Sequence, residues 1–233
     1  MKSGPVRVLG INAVFHDPAA ALVVDGKIVA AAEEERFSRR KHGKACVPFS
    51  TWELPEQAIA WCLARGGLTA SDLDAIGYSY DPALAHDGGD DVTADEWEGL
   101  RTLYVRRAPR FLASLGLDPE KVRFVGHHVA HAASCHLAAP FHSSAVLVVD
   151  GRGESASHLG GHAHADGSLD VLAAQRLPHS LGLLYEELTE HLGFRRSSDE
   201  RRKPRWSVSS SYSSPSECGS SCRARTSSEP SSR

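Results

Sequence analysis

The hydrophobic pattern at the start of the chain predicts three antiparallel strands. Residues 6–11 and 19–24 are apolar runs of strand length. Asp25-Gly26 follows the second run, and this dipeptide favours a two-residue hairpin turn. Residues 27–32 then return as a third strand, so the segment is predicted to be a meander.

Predicted helices and strands alternate after this meander. Helical periodicity and helix-stop glycines indicate the helices, and short apolar runs indicate the strands. The unbroken apolar run at residues 144–149 predicts a central strand. The predicted order is helix 55–65, strand 74–80, helix 94–115 with a break at Pro109, strand 122–125, helix 127–137, strand 144–149, strands 157–163 and 169–176, and helix 181–192 closed by Gly193.

This order predicts an α/β protein with one complete unit, 1–143, and an incomplete second unit, 144–200. Residues 201–233 differ from both, because 13 of them are Ser and almost none is aliphatic. Such a tail cannot bury enough apolar surface to offset the entropy of ordering it, so it is predicted to be disordered. Two explanations of this composition remain open: a natural disordered tail, or a gene whose reading frame is lost near Glu200. We favour the loss of the reading frame.

Composition and charge narrow the classes of protein to which this chain can belong. The net charge of -3 gives no reason to expect a nucleic-acid partner. No apolar run approaches the length of a membrane span. The start of the chain does not resemble a signal peptide, and its five cysteines are scattered and odd in number. We therefore expect reduced thiols in a cytoplasmic protein.

The strongest chemical signal is a pair of histidines followed by an aspartate. His127 and His131 are four residues apart, so a helix places both on one face. Asp150 follows the apolar run and can add a carboxylate ligand. Two imidazoles and a carboxylate suit Fe(II), Zn or Mn, and we favour metal binding over an ordinary helix start. His128 is expected to line the pocket or be structural, and His136 to lie on the surface.

The turn after Asp150 is a candidate phosphate site. Gly151 and Gly153 let backbone N–H groups approach an anion, and Arg152 adds positive charge. The alternative is a plain turn in which Asp150 caps its own backbone. The buried run and the histidine pair nearby strengthen the phosphate interpretation.

Two further segments carry weaker signals. His16 follows the first strand and could act as a general base toward a hydroxyl, although it could also belong to a plain turn before Pro18. Residues 33–42 change from acidic to basic within ten positions. A solvated surface segment explains this run best, and the alternative is that Arg39, Lys41 and His42 contact an anionic substrate.

Together these segments resemble the N-terminal part of the O-carbamoyltransferases, which include NodU-type nodulation enzymes and antibiotic-tailoring enzymes. The resemblance covers residues 6–200, with the motifs in the family's order. The matching stretches are Leu9-Gly-Ile-Asn with Phe15-His-Asp-Pro-Ala-Ala-Ala-Leu22, Glu33-Glu-Glu-Arg-Phe37 with residues 39–42, Gly126-His-His-Val-Ala-His131, Val149-Asp-Gly-Arg-Gly-Glu154, and Ser180-Leu-Gly-Leu-Leu-Tyr185 with Gly193-Phe194 and Ser197-Ser-Asp-Glu200.

The resemblance implies an actin-like (ASKHA, Kae1-like) fold, with a first RNase H-like subdomain and the start of a second. It implies that His127, His131 and Asp150 bind a divalent metal, with Fe(II) preferred over Zn or Mn. The turn from Asp150 to Gly153 would lie in the adenylate site, His16 would be the base, and Lys41 would contact an anion.

The implied reaction moves a carbamoyl group from carbamoyl-adenylate, made from ATP and carbamoyl phosphate, to a hydroxyl of a small natural product or sugar. The family's second half of the Kae1-like domain and its YrdC-like adenylating domain have no counterpart after residue 200. We therefore expect this chain to be inactive alone.

Three alternatives remain open at this point. An actin-like sugar kinase or ATPase would not need the histidine pair. A non-catalytic truncated remnant would fold without turnover. A metalloprotease is the weakest, because His127-His128-Val-Ala-His131 lacks the glutamate after the first histidine.

Overall fold

The computed structural model describes residues 4–43, 45–47, 50–51, 53–85 and 96–194. The predicted tail, 201–233, lies outside the described residues, as does the matching stretch at residues 197–200. The elements are, in chain order, β1 Arg7–Asn12, β2 Ala19–Val24, β3 Lys27–Glu33, α1 Glu35–Ser38, β4 Ala45–Val47, β5 Ser50–Thr51, α2 Glu56–Gly66, β6 Ala75–Tyr78, α3 Glu96–Ser114, β7 Val122–Phe124, α4 His127–His136, β8 Ser144–Val149, β9 Ala156–Ala163, β10 Leu169–Arg176 and α5 Leu181–His191.

The first sheet has the order β3-β2-β1-β6-β7. The three meander strands pair antiparallel, as predicted, and β6 and β7 add in parallel to β1. Asp25 and Gly26 both have positive φ, which is the backbone geometry that the predicted hairpin turn requires. An antiparallel meander extended by parallel strands is the topology expected of the first RNase H-like subdomain, so the predicted fold class is confirmed.

The main core lies between this sheet and helices α2 and α3. Leu9, Leu22, Ile76 and Tyr78 are fully buried, because alternate residues of the strands face the helices. Helix α3 contributes Tyr104, Val105, Ala108 and Leu112 from one face. The predicted break at Pro109 is wrong, since α3 continues through it. The buried residues on both sides of Pro109 anchor the two halves of the helix to the same core, which outweighs one missing hydrogen bond.

The second sheet is antiparallel, with the order β10-β9-β8. Helix α4 packs on it through a small core of Ala132, Val148 and Leu159. The prediction of a central strand at residues 144–149 is wrong, because among the described residues β8 lies at the edge of its sheet and only Val148 of the strand is buried. The second sheet therefore consists of three consecutive antiparallel strands, like the meander of the first sheet.

The acidic half of residues 33–42 is not simply solvated. Glu34 is buried, and its carboxylate accepts hydrogen bonds from the backbone N–H groups of Gln57 and Ala58 at the start of α2. A negative charge at this end of a helix satisfies free donors and complements the helix dipole. Among the described residues, no helix is both long and apolar enough to span a bilayer.

Candidate active site

Helix α4 and the end of β8 bring the predicted metal ligands together. Nε2 of His127 lies 2.9 Å from Oδ2 of Asp150 and 3.1 Å from Nε2 of His131. Nε2 of His131 lies 3.6 Å from the same aspartate oxygen. The three side chains thus point one potential ligand atom each at a common centre.

The size of this triangle suits a divalent transition metal. A cation about 2.0–2.1 Å from nitrogen and oxygen ligands spaces those ligands about 3.4 Å apart in tetrahedral geometry and about 3.0 Å apart in octahedral geometry. The observed sides of 2.9, 3.1 and 3.6 Å fall around these values. A cation would therefore need only small side-chain adjustments.

The tautomer of His127 also suits a bound cation. Nδ1 of this ring faces the carbonyl oxygen of Ser79 at 3.4 Å, which favours the tautomer with its proton on Nδ1. Nε2 then directs a lone pair toward Asp150 and His131. One ring nitrogen cannot donate to two neighbours, since it carries at most one proton. A cation accepts lone pairs from all three atoms, so this set of ligands fits Zn, Fe(II) or Mn.

The protonation states favour metal binding. Burial opposes ionisation of Asp150, but the neighbouring imidazoles of His127 and His128, together with the backbone N–H of Gly151, hold the pKa of the carboxyl well below its usual range. Burial, and then the charge of His127, lowers the pKa of His131, while Asp150 opposes that shift. At neutral pH the aspartate is therefore a carboxylate and His131 is neutral, which are the forms that bind metals.

His128 lies beside these ligands, on the inner side of the helix. Its ring is buried, and Nε2 lies 3.6 Å from Oδ2 of Asp150. Among the described residues this nitrogen has no hydrogen-bond partner. The ring packs against Gly153, where a Cβ atom would lie 2.9 Å from Cε1 of His128. Gly153 is thus required here to make room for His128.

The turn from Asp150 to Gly153 uses two of its own backbone donors. The N–H of Gly151 donates to Oδ1 of Asp150 at 2.7 Å, and the N–H of Gly153 donates to the carbonyl of Ala156 at 2.7 Å. Asp150 therefore caps its own backbone with one oxygen and faces the histidines with the other. Arg152 is half-buried in the same turn. Phosphate binding by these residues stays a prediction.

Glu154 has a role at the site that no local sequence pattern indicated. It is buried, and its Oε1 accepts hydrogen bonds from the backbone N–H groups of Asp81 and His127, each at 2.8 Å. Helix α4 starts after Gly126, which has no capping side chain, and its first turn has no acidic residue. Glu154 supplies the missing cap from another element and fixes the position of His127.

His16 forms a second cluster with Asp17 and His42. The Asp17 carboxylate accepts from Nδ1 of His16 at 2.8 Å and from Nδ1 of His42 at 2.9 Å. The hydrogen bond with His16, followed by that with His42, lowers the pKa of Asp17 to about 2 against the effect of burial. His16 is exposed, and its charge is close enough to lower the pKa of His131. Lys41 is exposed in the adjoining turn.

His136 at the other end of α4 is not a surface residue, so that prediction is wrong. It is buried, with Nδ1 2.8 Å from Oγ of Ser144 and Nε2 3.1 Å from the carbonyl oxygen of His164. The helix packs its last turn against β8 and the end of β9. The face that carries His136 is therefore covered by the second sheet.

Comparison with known proteins agrees with the motifs. A family described as Carbamoyltransferase N-terminus matches residues 7–116 and 100–217. The uncharacterized protein sll1178 of Synechocystis is 36% identical over 83% of this chain and 33% of its own length. The nodulation protein NolNO of Sinorhizobium fredii is 34% identical over 78% of this chain and 26% of its own length.

The chain thus spans about a third or less of the length of these curated relatives. Among solved structures, YeaZ from Pseudomonas aeruginosa has a TM-score of 0.42 and 15% sequence identity, covering 73% of this chain and 68% of that chain. The match to the family extends over most of the sequence and includes both the histidine pair and the turn after Asp150. This chain belongs to the carbamoyltransferase N-terminus family.

Proposed function

We propose that this chain is the N-terminal portion of an ATP-dependent O-carbamoyltransferase. The complete enzyme would form carbamoyl-adenylate from carbamoyl phosphate and ATP. It would then transfer the carbamoyl group to a hydroxyl of a small natural product or sugar. The observation that carries the proposal is the convergence of His127, His131 and Asp150 in a member of this family.

A divalent cation, with Fe(II) preferred over Zn or Mn, would be held by His127 and His131 of α4 and by Asp150. A cation there would act as a Lewis acid toward the carbamoyl carbonyl. Glu154 would keep His127 in place through the backbone, and Ser79 would fix its tautomer. The half-buried Asp150 would stay ionised throughout, because its pKa is held far below neutral pH.

His16 would take the proton from the attacking hydroxyl. Its Nδ1 is held by Asp17, so Nε2 is the ring atom that would act as the base. Asp17 remains ionised at neutral pH and would stabilise the imidazolium form of His16. The exposure of His16 gives a hydroxyl acceptor access to the ring. The adenylate would leave near the turn from Asp150 to Gly153, and Lys41 would contact an anionic group.

Metal binding by the purified chain tests the proposal. We expect Zn²⁺ titration to give a site that is weakened at least about 100-fold in His127→Ala, His131→Ala and Asp150→Asn. His191→Ala is the matched control, because it removes an exposed helical histidine outside the site. Equal Zn²⁺ affinity in His127→Ala and the wild type would remove the mechanism and leave the family likeness alone.

A second measurement separates the transferase from a sugar kinase. With carbamoyl phosphate, ATP and a panel of sugars, the chain alone is expected to give neither carbamoylated nor phosphorylated product. Binding of AMP should depend on the cation and weaken in Asp150→Asn. ATP-dependent sugar phosphorylation that survives His127→Ala would support the kinase instead.

A further inference from the structure

A second group of potential ligands lies on the hairpin of β9 and β10. His162 is on β9, and His164 directly follows that strand, so the two side chains share one face of the sheet. Asp170 on β10 pairs directly with His162 across the ladder. One ligand atom of each residue lies within 4.8 Å of the other two. None of these residues belongs to the site described above.

The group is compact enough to surround one cation. The rings of His162 and His164 lie 4.3 Å apart at 78°, so they do not stack face to face. Nε2 of His164 lies 2.8 Å from Oδ2 of Asp170. Ligands of a tetrahedral zinc ion are about 3.4 Å apart, so this pair would separate by about half an ångström to admit the ion. Asp170 can supply that movement, because its side chain is 67% exposed.

Neighbouring residues hold the two histidines. Nε2 of His162 lies 2.7 Å from Oγ of Ser143, and the tautomer that donates to this hydroxyl has its lone pair on Nδ1. His136, at the end of α4, lies 3.1 Å from the carbonyl oxygen of His164. Gly161 allows the strands to meet closely, because a Cβ there would lie 2.6 Å from the carbonyl oxygen of Asp170.

We propose that His162, His164 and Asp170 form a second metal site that binds a divalent transition metal of the zinc type. Imidazole nitrogen favours such cations over Mg²⁺ and Ca²⁺, which prefer oxygen ligands. The half-exposed position leaves room for water to complete the coordination shell. A cation there would link the two strands of the hairpin through His162 and Asp170. This site does not depend on the proposed transferase function.

Zn²⁺ titration of the full chain by calorimetry tests the site. We count equivalents lost relative to the wild type, so that ligands elsewhere in the chain cancel. His164→Ala should lose one equivalent, or bind it at least about 100-fold more weakly, and the double variant His127→Ala/His131→Ala should lose a different one. Combining all three changes should remove both. The control His191→Ala should lose none.

Asp170→Asn is the second variant, because this exposed side chain can lose its charge without a cavity or a buried unpaired group. It should weaken the same equivalent about 10- to 100-fold, with an unchanged circular dichroism spectrum. Wild-type stoichiometry and affinity in either Asp170→Asn or a folded His164→Ala overturn the proposal. Loss in those variants with full binding in His127→Ala/His131→Ala would sustain this site while contradicting the proposed active site.

Discussion

The cap on α4 gives the most direct test of how the active site is positioned. Glu154 is buried, and its Oε1 accepts two backbone N–H groups, from Asp81 and from His127. Glu154→Ala removes this one acceptor oxygen and leaves two donors unpaired. A hydrogen bond to a charged group contributes about 1.5–3 kcal/mol, so the free energy of unfolding should fall by about 3–6 kcal/mol.

Glu154→Gln separates hydrogen bonding from charge. The amide oxygen of glutamine can accept the same two N–H groups, but the negative charge at the helix start is lost. We expect a loss of about 1 kcal/mol in the free energy of unfolding, which is the usual scale of the helix-dipole interaction. Urea unfolding followed by circular dichroism measures both variants. Glu187→Ala, an exposed glutamate on α5, should change stability by no more than about 0.5 kcal/mol.

The same variants should change metal affinity, because the N–H that Glu154 accepts belongs to His127 itself. Loss of the cap should weaken Zn²⁺ binding about 10- to 100-fold even where α4 stays folded. Stability of Glu154→Ala within about 1 kcal/mol of Glu187→Ala would refute the capping role. An equal loss in the free energy of unfolding in Glu154→Gln and Glu154→Ala would show that the two hydrogen bonds are not the source of the stabilisation.

Two further predictions follow from close packing and from charge. Gly182→Ala should lower the melting temperature by several degrees relative to the control Gly160→Ala. A Cβ at Gly182 would lie 2.5 Å from the Cα of Gly151, whereas a Cβ at Gly160 meets nothing within 4 Å. Equal melting temperatures of the two variants would contradict this packing. The pKa of Asp17 is lowered from 3.8 to about 2, chiefly by its hydrogen bond with His16, so the stability that it contributes is present above about pH 4 and lost as pH falls toward 2. The stability difference between wild type and Asp17→Asn should therefore shrink over that interval in acid unfolding, and a constant difference would oppose the assignment.

Local rules were sufficient for most of the elements and for the ligand pair. The hairpin at Asp25-Gly26 and the helix start at His127 were both predicted from neighbouring residues, and the structure has both. His127 and His131 share a helix face because four residues make about one turn. The placement of Asp150 opposite them depended on a strand end, which the apolar run before it marked.

The contacts that the sequence did not reveal join residues far apart in the chain. Glu154 caps a helix that begins 27 residues earlier, and Glu34 caps one that begins more than 20 residues later. Each glutamate lies in a segment whose local pattern indicates a turn or a solvated run. The sequence offered only an indirect indication. Neither helix has a capping side chain of its own, so a carboxylate from another part of the chain was needed to accept the first N–H groups of each helix. Nothing local states which glutamate provides it.

The edge position of β8 shows what an unbroken apolar run can and cannot predict. Such a run indicates that both faces of a strand suit an apolar neighbour, but it does not indicate where the strand lies in the sheet. Helix α4 covers one face of β8, where Val148 is buried. On the other face Leu147 is 75% exposed and Val149 is 54% exposed. The sequence therefore has the pattern of a strand with neighbours on both faces, whereas the described residues provide a neighbour on one.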